Sequence, residues 1–332
     1  MKLSERAGHL MSKYAIFVVL ILMIVISSIL NKNFLRPQNL INVAVQLTVP
    51  TILACGAMLL VISGLLDLSC GAVMALSGVL SVSFYKANGS LLLAVVLAIV
   101  IAVVCNLVNA LFVASFRMPS FIVTLAMTMV ARGLAQIYTS GQNILQIGDY
   151  SQLGQGKLGG VVPIPLVFLV IIGVASWYIL NQTRFGRSLY AIGGNEEAAV
   201  ASGINVIRAK YTAFIINGIL VGLAAAIYTA RVNAGLPNGA EGYEMEGLTA
   251  TIVGGTSFSG GVGSVSGTII GSFIIGFLNN IMNLTGVDSY VQQVVKGAII
   301  VAAVLYDIRF KNKKAPRVIV QPTSHDNQKP AA

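Results

Sequence analysis

Long uncharged apolar stretches recur along the chain, separated by short polar or Gly- and Pro-containing punctuation. Leu91 to Phe116 runs for 26 residues without Asp, Glu, Lys or Arg, more than the roughly 20 that cross a hydrocarbon core as helix. Read this way, the pattern predicts about ten membrane-spanning segments, at 14–30, 42–63, 70–85, 91–115, 119–139, 162–180, 210–230, 245–257, 262–284 and 289–307. The third and eighth are short and Gly-interrupted. A membrane tolerates such broken or re-entrant segments only where protein or a wet cavity satisfies the freed backbone groups. The expected fold is therefore all-α: one polytopic transmembrane helical bundle over 1–332.

Composition agrees with that reading. With 56% hydrophobic and 10% charged residues and a mean hydropathy of +0.84, the chain has too little polar surface for a soluble globule of its size. The net charge of +10 does not form an aromatic-interleaved basic patch, which argues against nucleic acid as a partner. It lies instead in the short segments between apolar runs. With the N-terminus placed in the cytoplasm, fourteen Lys and Arg fall on the cytoplasmic side and five outside, as the positive-inside rule requires. The expectation is an even number of crossings, with both termini, 1–13 and 309–332, cytoplasmic and the C-terminal tail disordered. The first apolar run is too long for a secretory h-region and lacks a small-residue cleavage site, so it is expected to stay as the first span.

Two stretches resemble each other. Gly64-Leu-Leu-Asp-Leu-Ser-Cys-Gly71 and Gly254-Gly-Thr-Ser-Phe-Ser-Gly-Gly261 match at Gly64/Gly254, Ser69/Ser259 and Gly71/Gly261, and each adjoins a weak segment. Paired interruptions of this kind point to an internal repeat around a midplane pathway. The longest polar interior segment, 181–210, contains a short helix with defined ends. Asn195 caps it, Glu196 and Glu197 occupy its first turn, Ala198 and Ala199 propagate it, and Gly203 suits a left-handed stop before Asn205. So short a helix is marginal alone and is expected to dock against something.

These residues, with Ser63 to Gly71, Pro119 to Leu125, Gly186 to Asn205 and Gly254 to Gly267, carry a resemblance. The chain resembles the permease subunits of the ribose/galactose/arabinose class of ATP-binding-cassette importers over nearly its whole length. The resemblance implies a bacterial inner-membrane protein and a coupling element at Gly194, Asn195, Glu196, Glu197, Ala198, Ala199, Gly203 and Asn205 that sits in a cleft of a separate ATPase subunit. It also implies a second permease subunit, identical or similar, a periplasmic or lipoprotein substrate-binding protein, and a small sugar as cargo. The first block departs from the family pattern at Leu65, Leu66 and Cys70, where smaller or β-branched residues are usual.

The remaining chemistry is consistent with transport. The run Gly260 to Gly267 lacks the Gly-Lys-Ser/Thr of a phosphate loop, so energy must come from a partner or from an ion gradient; an ion-coupled carrier is the alternative reading. Ionisable groups near the spans are Asp67, Arg132, Glu244, Glu246, Lys296 and Asp307. A neutral sugar needs amides, hydroxyls and aromatic faces. The candidates for its pathway are Asp67, Ser69, Asn106, Asn109, Phe258, Ser259, Asn279 and Asn280, with Gln136, Asn217, Asn283, Tyr290 and Gln292 behind them. The two histidines lie in the tails, and Cys55, Cys70 and Cys105 have no ligand spacing, so neither an enzyme, a metal centre nor a cofactor is expected. The GxxxG pairs Gly218/Gly222 and Gly267/Gly271 suit close helix packing.

Overall fold

The computed structural model describes residues 3–314. Its helices are α1 (Leu3–Leu30), α2 (Pro37–Ile62), α3 (Cys70–Asn88), α4 (Leu91–Ala110, continued by a π-helical turn Leu111–Ser115), α5 (Ser120–Thr139), α6 (Gln152–Gln155), α7 (Ile164–Gln182), α8 (Arg184–Gly194), α9 (Glu196–Ala201), α10 (Val206–Val232), α11 (Tyr243–Val253), α12 (Val265–Leu284) and α13 (Ser289–Lys314). Among the described residues, strand content is confined to two antiparallel two-residue pairs in loops, Ile144–Leu145 with Ala234–Gly235 and Lys157–Leu158 with Val162–Pro163.

Eight helices among the described residues are long and apolar enough to cross a membrane, not ten: α2, α3, α4 with its π turn, α5, α7, α10, α12 and α13. The stretch at 70–85, expected to be weak, is a full helix of 19 residues. The stretch at 245–257 is the real interruption. Its α11 has 11 residues, which at 1.5 Å per residue reaches about half of a roughly 30 Å hydrocarbon core. Of α1, the described apolar part is Ile16–Leu30, which is also short of that length. Residues 309–314, expected to begin a disordered tail, continue α13 as helix; the remainder of that tail, and the first two residues, lie outside the described residues.

α2 and α10 form the centre and are the most enclosed spans, whereas α4, α5, α7 and α13 show much of their surface outward. Both GxxxG pairs pack inside this one chain. Gly218 and Gly222 lie against the backbone of α4 around Val103 and Ile99, and Gly267 and Gly271 lie against Ala250 of α11 and Gly254 just after it. A Cβ at any of the four would meet backbone, so the glycines set how closely those helices approach.

The bundle has two distinct ends. α10 starts beside α9, and Ile62 at the close of α2 lies against Gly193 of α8. At the opposite end, Asn31 after α1 donates to the carbonyl of Leu284 at 3.0 Å, and Lys86 near the end of α3 reaches the carbonyl of Leu145 at 3.1 Å.

Candidate coupling and solute sites

The helix expected at 195–203 forms as its sequence requires. The Asn195 side chain accepts from the Ala198 amide at 2.8 Å, Glu196 and Glu197 fill the first turn, and Gly203 closes it at φ +81°. Its docking is visible. Ala199 is buried with Ile192, Val206 and Ala209, and Glu196 pairs with Lys210 at 2.9 Å. Glu197 and Ala198 stay exposed, and Val200 and Ile207, at 57% and 51% exposure, place apolar surface beside them. The segment holds one more helix than sequence reasoning found: α8, amphipathic through Phe185, Leu189 and Ile192 and capped by Thr183, whose hydroxyl accepts from Gly186 N at 3.1 Å.

α8 abuts both chain breaks. The Gly261 amide donates to the Ile62 carbonyl at 2.8 Å, Gly193 lies directly on that pair, and the Tyr190 hydroxyl donates to the Gly263 carbonyl at 2.8 Å. The two breaks share one helix ending. Leu65 N bonds Leu60 O at 2.9 Å and Thr256 N bonds Thr251 O at 3.1 Å, a Schellman pattern with left-handed Gly64 and Gly255. Structurally Gly64 thus corresponds to Gly255, one residue beyond the sequence pairing with Gly254, whose φ is −66°.

Four of the residues expected on the pathway, Asp67, Ser69, Asn106 and Asn109, are brought together in one buried network. Asp67 Oδ1 accepts from the Ser69 amide at 2.8 Å and from its hydroxyl at 2.5 Å. Its Oδ2 accepts from Asn217 at 2.7 Å, Asn217 also donates to Asn106 Oδ1 at 2.9 Å, and Asn109 donates to Ser69 Oγ at 3.2 Å. Around the same loop, α5 supplies Ser120 Oγ to the Leu66 amide at 3.0 Å and the Thr128 hydroxyl to the Leu68 carbonyl at 2.9 Å. The network and these α5 bonds therefore satisfy backbone groups of the irregular stretch between α2 and α3, the condition for such a stretch among membrane helices. The other four lie elsewhere. Phe258 and Ser259 are exposed at the α8 end, where Asp307 accepts from Phe258 N at 2.9 Å, and Asn280 makes a reciprocal amide pair with Asn39, 3.0 Å each way.

Asn279 lines a cavity of about 620 Å³ at the end opposite α8. Gln38, Asn42 and Gln46 form one polar stripe of α2 along it, faced by Asn279 and Asn283 of α12 and Gln292 of α13. Of the charged side chains at its wall, Lys157 is exposed and the other three are engaged. Lys296 pairs with Glu246 at 2.6 Å. Pro50 interrupts the α2 hydrogen-bond ladder and leaves the Gln46 carbonyl without its helical donor; Arg231 donates to that carbonyl at 3.3 Å and to the Tyr243 hydroxyl at 2.9 Å. The i, i+4, i+8 spacing of the α2 stripe was a readable signal, and starting the span at 42 concealed it.

The other ionisable groups near the spans also have partners. Arg132 donates to the carbonyls of Pro237 and Gly239 at 3.0 and 2.7 Å, and Glu244 accepts from Gly242 N at 3.1 Å.

Residues 39–304 match the family model described as branched-chain amino acid transport system / permease component. The chain is similar to the ribose import permease protein RbsC of Bacillus subtilis, 42% identical over 90% of this chain and 93% of that one, and to that of Escherichia coli K12, 38% identical over 90% and 92%. It is also similar to the L-arabinose transport system permease protein AraH of Escherichia coli K12, 34% identical over 94% and 95%. With a model match over most of its length and relatives this close across nine-tenths of it, the chain belongs to the branched-chain amino acid transport system / permease component family of membrane proteins.

Proposed function

We propose that the chain is the membrane-spanning subunit, a single transmembrane domain, of an ATP-driven importer that carries a monosaccharide or related small polar solute across a bacterial inner membrane. Its end bearing α8 and α9 faces the cytoplasm. Arg117, Arg184, Arg187, Arg208 and Lys210 gather there, which supports that orientation. An ATPase subunit docks on the exposed face of α9, a substrate-binding protein delivers the solute at the opposite end, and a second permease subunit completes the route. Sugar is preferred over amino acid because the relatives named above carry ribose or arabinose, and because the cavity presents a row of amides.

The observation that carries the reading is the contact of α8 with both chain breaks. A displacement of α9 by the ATPase moves α8, and through Gly193 and Tyr190 it reaches the ends of α2 and α11 and the start of α12. A rigid capped helix suits such a rigid-body transmission. Ion coupling has less support: Asp67, the most enclosed carboxylate near a span, is already fully hydrogen-bonded.

The test is uptake by the chain reconstituted in vesicles with its ATPase and binding protein. Gly194→Pro and Glu197→Lys are each expected to abolish ATP-driven uptake of D-ribose, the second without changing the yield of folded subunit. Normal uptake in both variants defeats the coupling assignment, and uptake driven by an ion gradient without ATP defeats the importer reading.

A further inference from the structure

We propose that the cavity between α2, α12 and α13 is a binding subsite for a neutral polyhydroxy solute, held by the amides of Gln46, Asn279 and Asn283; this rests on the transport reading above. Its volume of about 620 Å³ falls within the roughly 300–1,000 Å³ usual for small-molecule sites. Three helices direct polar side chains into one space. On α2 the stripe Gln38, Asn42, Gln46 recurs at four-residue intervals; α12 contributes Asn279 and Asn283, and α13 contributes Gln292.

Free hydrogen-bonding capacity remains in that wall. The Asn279 Oδ1 atom is shut off from solvent and has no partner, a condition that costs about 1–3 kcal/mol for a buried acceptor. Rotation of the Asn279 amide would turn this oxygen toward the cavity, where a hydroxyl donor satisfies it. The Gln46 side-chain amide makes no hydrogen bond among the described residues. An amide both donates and accepts, and so does a sugar hydroxyl, so the two match without any net charge.

Charge decides against a cation. Lys296 is neutralised by Glu246, and the Arg231 guanidinium is engaged by the Gln46 carbonyl and the Tyr243 hydroxyl. A cation finds only a carboxylate already paired, whereas Arg231 and the exposed Lys157 leave positive charge at the wall, so the ribose 5-phosphate arm of the test separates an anionic from a neutral solute. The Leu47 side chain lies on Gly276, so tightly that a Cβ on Gly276 would overlap it, and both residues belong to the cavity wall.

The test uses the full importer reconstituted in vesicles with Cys105 replaced by Ser, because Cys55 and Cys70 are buried. Asn42→Cys is labelled with a membrane-impermeant maleimide applied from the binding-protein side, with or without saturating D-ribose, ribose 5-phosphate or L-leucine. The expected result is labelling slowed several-fold by D-ribose and unaffected by the other two. Asn279→Leu removes an unsatisfied atom and so folds at least as well as the parent. It should raise the D-ribose concentration needed for half-protection about tenfold, as for one lost hydrogen bond.

ATP-driven D-ribose uptake without protection of the thiol in the Asn42→Cys variant overturns the subsite and leaves the transport reading intact. Protection by ribose 5-phosphate or L-leucine in place of D-ribose overturns the neutral polyol assignment. An Asn42→Cys preparation that neither takes up nor is protected by any of the three, in an importer whose parent also takes up none of them, overturns both readings together.

Discussion

Replacing Gly193 by Ala isolates the junction between α8 and the two chain breaks. By helix propensity alone the change should stabilise α8 by about 1 kcal/mol. The tertiary structure reverses the sign. A Cβ at Gly193 would meet the Ile62 carbonyl oxygen and the Gly261 amide nitrogen, the two ends of a 2.8 Å hydrogen bond. Both are backbone, so no rotamer change relieves the overlap. Overpacking costs about 1–3 kcal/mol, and parting the bond leaves two enclosed polar groups at about 1–3 kcal/mol more. A net cost of roughly 1–5 kcal/mol follows, concentrated where α8 meets α2. The assay is solute carried per ATP hydrolysed in reconstituted vesicles, with Gly194→Ala as control, because a Cβ there has open space around it. Gly193→Ala should lower that ratio at least tenfold, a change of about 1.4 kcal/mol or more, while Gly194→Ala stays near the parent. Equal ratios in the two variants would refute the proposed transmission through this junction.

Two further outcomes follow from groups away from that junction. Asp67→Ala removes the acceptor for Ser69 and Asn217, so thermal unfolding in detergent should show a loss of about 2–4 kcal/mol; an unchanged midpoint would show that the network does not hold the loop. Burial pushes the Tyr150 hydroxyl up to about 12, above its ordinary value near 10, so between these values the unfolded state loses its proton first. Stability contributed by Tyr150 is complete below about pH 10 and is lost as pH rises through about 12, roughly 2–3 kcal/mol in all. Tyr150→Phe should flatten the pH dependence in that window, and denaturant titrations at pH 9.5 and 11.5 measure it.

Much of this was legible one residue at a time. The capped helix at Asn195 was readable because capping is local: a side chain three residues from its acceptor amide does not need the rest of the fold. Helix α8 was equally local, in the spacing of Phe185, Leu189 and Ile192 after Thr183, although Gly193 and Gly194 at its end weaken the helical signal. The solute cavity was not readable. Its walls come from α2, α6, α10, α11, α12 and α13, the first and last separated by more than 200 positions, and amides on spans look alike in sequence whether they face a cavity, a neighbouring helix or another amide. Asn279 and Asn280 are adjacent and have opposite fates, one lining the cavity and the other paired with Asn39.

The sequence by itself determined the class of protein, because hydrophobic runs that exceed the bilayer thickness admit few other structures, and it located both chain breaks through their glycines. Tertiary structure alone decided the number of full-length spans, since α11 ends where Gly254 and Gly255 turn the chain against α12. It also decided what the buried polar residues do. A carboxylate such as Asp67 on an apolar segment reads as a pathway group until Ser69, Asn106 and Asn217 are seen around it, because hydrogen-bond satisfaction is a property of three-dimensional neighbours and not of spacing along the chain.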